Sequence, residues 1–245
     1  MSWLEARFLE REKRFTVHAE LPDGTRVLAH TNNTGRMTGC VREGGRCWLS
    51  RADNPRRKLP YTLEVTESPT GVLVGVNTAT PSRLVAEAVA ADLWPELAGR
   101  RLMRREVRYP EDLAAGSRAD LLLDGPCWVE IKNVTWTRDG VACFPDAPTA
   151  RGRKHLRDLM ACVASGQDAA LIFCVQRGDA RVVAPAQDVD PEYADLLVQA
   201  AEAGVLVLAL RAEVGVSAVR AGRPLPVVTG GRPRIEQINT TIQIF

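Results

Sequence analysis

Three side chains in one short stretch have the types and spacing for metal-assisted hydrolysis. In SRADLLLDGPCWVEIKN, Asp120 falls in one strand-like run and Glu130 and Lys132 in the next, with a turn around Asp124-Gly125-Pro126 between them. Residues i and i+2 of a strand share a face, so Glu130 and Lys132 project together while Ile131 points into an apolar layer. Hairpin pairing would bring Asp120 beside both. Two carboxylates are hard ligands suited to Mg²⁺ or Mn²⁺, with several waters kept on the ion. Such an ion neutralises phosphate charge and lowers the pKa of water. A lysine beside it orients or activates the attacking water and stabilises developing charge. Glu87, in a preceding helical run, is a candidate third carboxylate. It also stands four residues after Arg83, where an ordinary helix-surface ion pair contributes about 0.2–0.5 kcal/mol. The bare triplet is weakly specific, and its alternative is a set of charged residues on an exposed strand face.

The surrounding elements give the triplet its context. Up to residue 77 the chain reads as short strands and turns: Arg14–Leu21, the LPDG turn, Thr25–His30, Arg46–Ser50, Tyr61–Thr66 and Val72–Val76. Strands without a helix over such a length predict a small β-barrel, of which the OB-fold is one form. The period then changes. Pro81 suits the first turn of a helix, Thr80 is a candidate N-cap, and Leu84, Val85, Ala88, Val89 and Leu93 share one face through Trp94. Strand-like runs follow at Leu102–Arg108, Arg118–Leu123 and Trp128–Val134. A helix over Arg151–Ala164, a buried strand at Ala169–Val175, a helix over Pro191–Ala203 and a strand at Val205–Leu210 complete the pattern. The class is α/β (α+β overall): a barrel at 1–77, then an α/β sandwich around a mixed sheet at 78–231. Helix, three strands, helix, strand is the core order of PD-(D/E)xK nucleases. The segment 232–245 differs in composition and is read as a C-terminal tail and a candidate non-native extension.

Composition narrows the class without naming a function. In 245 residues there are 32 basic and 30 acidic side chains and 45% hydrophobic residues, an ordinary globular balance. Among the basic residues only four are lysine. None of the six cysteines has CxxC spacing, so a structural zinc site is not expected and buried thiols are. The three histidines, His18, His30 and His155, are scattered and suggest no His-based metal site. The N-terminus lacks an apolar signal-peptide core, and no apolar run is long enough to span a membrane. A cytoplasmic protein is expected.

Several segments together resemble the sugar fermentation stimulation protein A family: RFLEREKRF (Arg7–Phe15), NTGRMTG (Asn33–Gly39), LSRADNPRRKLPYT (Leu49–Thr62), GVNTATPSRLVAEA (Gly75–Ala88), VEIKNVT (Val129–Thr135), FPDAPTARGRKHL (Phe144–Leu156) and AGRPLPV (Ala221–Val227). The resemblance spans residues 7–227 in order and spacing. It implies an OB-like domain joined to a PD-(D/E)xK nuclease-like domain, DNA binding and a link to sugar metabolism. It also implies Asp120, Glu130 and Lys132 as the nuclease-motif positions, with Glu87 as the helix-borne acid.

Charge is uneven along the chain. Residues 1–75 carry 12 basic and 9 acidic side chains, and residues 76–150, which hold the proposed site, carry 9 and 11. Arg51, Arg56, Arg57 and Lys58 cluster around Pro55; Arg101, Arg104, Arg105 and Arg108 precede the site; Arg151, Arg153, Lys154 and Arg157 crowd the start of the second helix. Such clusters suit phosphate contacts, which position nucleic acid without reading sequence, although each alone also fits a solvated surface. Arg36, flanked by Gly35 and Gly39, fits a phosphate cradle or a β-turn with a surface arginine. Trp48 fits a base-stacking platform or a core position. Gln176, just after the buried strand, is placed to lean over the metal site. The expected partner is DNA, without strong sequence specificity and with no membrane involvement. A homodimer is an open expectation, because many nucleases of this fold cut duplexes as dimers. Two alternatives stand beside a nuclease: a DNA-binding regulator that keeps the fold without the chemistry, and an enzyme acting on a small phosphorylated or sugar-derived ligand.

Overall fold

Short strands with small or β-branched inward residues open the chain. β1 (Leu4–Glu12), β2 (Thr16–Glu20), β3 (Arg26–His30), β4 (Arg46–Arg51), β5 (Tyr61–Glu67) and β6 (Leu73–Gly75) form one sheet in the order β3-β2-β1-β4-β5-β6. Parallel pairing of β3 with β5, at Ala29↔Tyr61 and His30↔Thr62, closes it into a barrel. Closure removes free strand edges. The barrel core holds Phe8, Val17, Ala29, Leu49 and Leu63. The LPDG turn joins β2 to β3 as expected, with Gly24 at φ +85°. β1 escapes the sequence pattern because only Ala6 and Phe8 are fully buried along it, the rest being mostly charged side chains. This computed structural model describes residues 3–54, 56–110, 113 and 116–230; the expected tail at 232–245 lies outside them.

The second half is a mixed sheet between helices. α1 (Thr80–Ala90) precedes β7 (Leu102–Arg108), β8 (Arg118–Leu123) and β9 (Cys127–Val134). Next come β10 (Thr137–Arg138), β11 (Val141–Phe144), α2 (Ala150–Ala164) and β12 (Asp168–Val175). The chain continues through β13 (Val182–Pro185), α3 (Pro191–Glu202), β14 (Leu206–Val214) and β15 (Val219–Pro224). The main sheet runs β15-β14-β12-β9-β8-β7, with β9, β12 and β14 parallel and the outer strands antiparallel. The short β10, β11 and β13, which form a separate sheet, and β15 are not expected from the sequence.

The two faces of this sheet have different partners. Leu121, Leu123, Val129 and Ile172 pack against Leu84, Val85, Ala88 and Val89 of α1. Leu122, Trp128, Leu171 and Phe173 pack against α2 and α3. α1 begins at Thr80 rather than being capped by it. Asn77 instead accepts from the Ala79 N–H through its Oδ1 (2.9 Å), forming the turn that leads into Pro81. The helix stops at Ala90, and Asp92 takes a left-handed φ of +51°, so Leu93 and Trp94 lie beyond it.

The barrel and the sandwich share a core. Trp48 is 2% exposed and clusters with Val65 and the α1 residues, so it is a packing residue rather than a stacking platform. The Gly75 N–H donates to the Gln176 carbonyl (2.8 Å), and Gln176 Nε2 donates to the Asn77 carbonyl (3.2 Å) and to Asn133 Oδ1 (2.9 Å).

One buried carboxylate fastens the two helices on the far face. Asp190, 2% exposed, caps α3 by accepting from the Tyr193 N–H (3.0 Å) and also accepts from the Thr149 N–H (2.7 Å). It pairs with Arg153 at 2.8 Å. Burial acts to raise its pKa, but the two backbone N–H groups and Arg153 outweigh it and hold it below the usual carboxylate range. Its stabilisation is therefore present above the unfolded-state pKa and is lost as pH falls through the lower folded value. Asp190→Ala is expected to cost about 2–4 kcal/mol at neutral pH in urea unfolding, and Asp190→Asn, whose single oxygen can keep one of the two backbone bonds, somewhat less.

Candidate active site

The site starts from strand alternation in β9. Glu130 and Lys132 face α2, while Ile131 turns to the α1 side. All three groups that meet there are buried: Glu130 is 4% exposed, Lys132 8% and His155, from the second turn of α2, 8%. Lys132 Nζ donates to Glu130 Oε1 at 2.7 Å. His155 Nδ1 contacts the same oxygen. Arg151 Nε, which can only donate, approaches His155 Nε2 at 3.2 Å. Lys132 Nζ lies 2.9 Å from His155 Nδ1, so Glu130, Lys132 and His155 form one buried polar cluster with Arg151 at its edge. Burial pushes the Glu130 carboxyl up, but the His155 hydrogen bond and the Lys132 charge outweigh it and hold its pKa low.

Asp120 enters from β8 at a break in the ladder. β8 and β9 pair at Leu123↔Cys127, Leu122↔Trp128 and Leu121↔Val129, and there the pairing ends. The Ile131 N–H instead donates to Asp120 Oδ2 at 2.7 Å, so the carboxylate takes the place of a backbone acceptor. Burial, then the neighbouring Glu130 charge, push the Asp120 carboxyl up to about 7. Two carboxylates in one dry site cannot both ionise cheaply, so the second holds its proton until something positive arrives.

This donor set fits a divalent cation that keeps water. Glu130 Oε1 and Asp120 Oδ2 are engaged, and among the described residues nothing donates to the other oxygen of either carboxylate. Within a strand the N–H and C=O of one residue point to the same side, so the Ile131 carbonyl is directed toward the same gap. Among the described residues no three His, Cys, Asp or Glu side chains group closely enough to hold a metal by themselves. Mg²⁺, bound through one or two carboxylates with the rest water, does not need them.

Other residues singled out in the sequence lie apart or are engaged. Glu87 is on α1, against the opposite face of the sheet, half-exposed and paired with Arg83 at 2.7 Å. Gln176 does not lean over the site: it alternates to the α1 side of β12 and is consumed in the join between barrel and sandwich. Arg153 is taken up by Asp190, and Lys154 by Asp158 (3.1 Å) and the Ser117 hydroxyl. Arg36, Arg51, Arg56, Arg57, Lys58 and Arg151 are exposed, as are Arg104 and Arg108 on β7, next to β8. His155 escapes the sequence reading because three scattered histidines carry no spacing signal. A signal does exist: His155 lies on the buried stripe of α2 with Gly152, Leu156, Leu159 and Cys162, where a polar ring needs a partner.

Comparison with known proteins agrees with this architecture. A family model described as "SfsA N-terminal OB domain" matches residues 9–76, and one described as "Sugar fermentation stimulation protein RE domain" matches residues 79–218. A sugar fermentation stimulation protein homolog from Thioalkalivibrio sulfidiphilus is 50% identical over 206 residues, covering 82% of this chain and 85% of that one. One from Geobacter sulfurreducens is 48% identical over 199 residues, covering 80% and 84%. Among solved structures, that of "Pyrococcus Furiosus SfsA in complex with Ca2+" superposes with a TM-score of 0.82 at 26% identity, covering 93% of this chain and 98% of that one.

The raised pKa of Asp120 has a measurable consequence. Its folded-state value of about 7 exceeds the unfolded value, so the folded chain binds the extra proton and stability falls as pH rises from about 4 to 7. Without divalent cations, Asp120→Asn is expected to be more stable than wild type at pH 8 by about 1–3 kcal/mol, with the gain vanishing toward pH 4. Urea unfolding across that range checks it; a gain independent of pH would contradict it.

Proposed function

This chain belongs to the sugar fermentation stimulation protein family, and from that premise we propose that it is a DNA-binding protein with a Mg²⁺- or Mn²⁺-dependent phosphodiesterase site at Asp120, Glu130 and Lys132. The observation that carries the reading is the Asp120 carboxylate set into the broken β8–β9 ladder beside ionised Glu130, with an ammonium on the same face. The Pyrococcus furiosus relative was solved in complex with Ca²⁺, which supports a divalent-cation site in this fold. Asp120 and Glu130, with the Ile131 carbonyl, would hold the ion. When bound, it supplies charge neutralisation at the phosphate and a lowered pKa for water. Lys132 orients the attacking water and stabilises charge developing on the phosphate oxygens. His155 and Arg151 act one step removed, by locking the Glu130 carboxylate in position.

Arg104 and Arg108, exposed on β7 beside β8, and exposed Arg151 would hold flanking phosphates. Arg36, Arg51, Arg56, Arg57 and Lys58 extend the positive surface over the barrel. Such contacts bind backbone rather than sequence and weaken steeply with salt. The relatives' names connect the family to sugar fermentation, which fits a regulatory role exerted on DNA.

A second reading, binding to DNA without cutting it, is favoured by the absence of a third acidic or imidazole ligand among the described residues. One experiment separates the two. Supercoiled, linear and single-stranded DNA are incubated with the protein and Mg²⁺ or Mn²⁺, beside Lys132→Ala. The nuclease reading expects cutting that falls by about 10²-fold or more in the variant. No cutting by either protein, or equal cutting by both, would refute it. Salt-sensitive DNA binding that survives Glu130→Ala would then support the regulator.

A further inference from the structure

A second polar site lies where the barrel meets the sandwich. A cavity of about 130 Å³ opens between the NTGRMTG loop, the approach to α1, the end of β9 and the loop after β11. Its walls include Asn33, Thr78, Asn133, Trp136, Phe144 and Asp146. Four of the segments that carry the family resemblance converge on it, yet the hydrolytic site uses none of these side chains. Its volume suits one flat ring system rather than a large ligand.

The free hydrogen-bonding groups of the cavity have a definite polarity. Asn33 is 7% exposed, and its Oδ1 already accepts from the Gly35 N–H (3.0 Å). Asn133 Oδ1 already accepts from Gln176 Nε2 (2.9 Å). Each carboxamide therefore has its oxygen turned toward a protein donor, and its N–H donors are free to face a ligand. Asp146 is the converse. Among the described residues nothing hydrogen-bonds to its carboxylate or pairs with it. Arg11 and Arg177 share its neighbourhood around Cys40, but both are occupied. Arg11 donates to the Asn33 and Gly35 carbonyls, and Arg177 to Asp179 and the Thr135 carbonyl. Gly35 lies close against both polar groups: a Cβ there would sit 3.1 Å from Asn33 Oδ1 and 3.4 Å from Asp146 Oδ2. Trp136, whose ring is backed by Arg138 at 4.1 Å, and Phe144, whose ring also packs on Phe173 and Tyr193, line the cavity as well.

We propose that this cavity binds a guanine base, free as a nucleotide or turned out of a nucleic-acid strand. A carboxylate with two free acceptors calls for two adjacent N–H donors, which guanine presents at N1 and its exocyclic amine. The adjoining edge of guanine carries two acceptors, O6 and N7, matching the free N–H donors of Asn33 and Asn133. Adenine has no pair of adjacent N–H donors on one edge. Cytosine would turn a ring-nitrogen lone pair toward Asp146. Uracil and thymine flank their single N–H with carbonyl oxygens, which the carboxylate repels. Aromatic walls favour a stacked base over a sugar or an inorganic anion.

The test measures binding in the absence of divalent cations, so no cleavage is involved and its result stands apart from the nuclease reading. The full chain is titrated calorimetrically with GMP and AMP. In parallel, labelled dT oligonucleotides, with or without a central dG, are followed by fluorescence anisotropy. A preference for guanine of at least about tenfold is expected in one or both formats, and the format identifies the source. Asp146→Asn and Asn133→Ala, each checked for an unchanged melting transition, should each reduce the guanine preference by at least about fivefold. No guanine preference in either format, or a preference that survives in the folded variants, overturns the proposal.

Discussion

A buried negative charge on Glu130 is the constraint around which this face of the sheet is organised. A carboxylate only 4% exposed stays ionised only if donors replace its lost water, and β9 and α2 supply them through Lys132 and His155. His155 in turn is held at both ring nitrogens, by Lys132 at Nδ1 and by Arg151 at Nε2 from one turn earlier in the helix. The start of α2 must therefore be fixed in place, and the bonds of Asp190 to Thr149 and Arg153 fix it. Burial, and then the charge on Glu130 beside it, keep Asp120 from ionising at ordinary cost, and its pKa rises to about 7. The pair is thus arranged so that a cation arriving between them relieves both burial and repulsion.

Much of this is legible in the sequence because it depends on local periodicity. Period-two alternation places Glu130 and Lys132 together and Ile131 opposite, and the Asp-Gly turn brings Asp120 across. The ladder break cannot be read, because it depends on a side chain replacing a backbone acceptor. His155 is hidden for a related reason: its partner is 25 residues away, and only the fold brings the two together. Gln176 defeats the sequence reading because a fully buried strand does not reveal which of its faces points where. The polar approach to α1 is clear from Pro81, but the residue forming the turn is Asn77, three positions before the expected cap.

The basic clusters show how a charge count separates into different roles. Arg153 and Lys154, which read as phosphate ligands in the sequence, hold α2 to its neighbours through carboxylates. Arg51, Arg56, Arg57 and Lys58 remain exposed on the barrel. Charge density alone cannot divide the two sets, because each acidic partner lies elsewhere in the chain or in the helix itself. The barrel is tied to the sandwich by Gln176, Asn77 and Trp48, so its positive loops are carried in a defined relation to the Asp120–Glu130 face.

If Asp120 and Glu130 form one cation site, its second carboxylate is protonated until the ion binds, and the proton can be counted. Calorimetric titration of the metal-free protein with Mn²⁺ at pH 6, in buffers of differing ionisation enthalpy, does so. Release of close to one proton per ion is predicted for the wild type, and none for Asp120→Asn together with weaker binding. Binding without proton release, or equal affinity and release in the variant, would contradict a shared cation site.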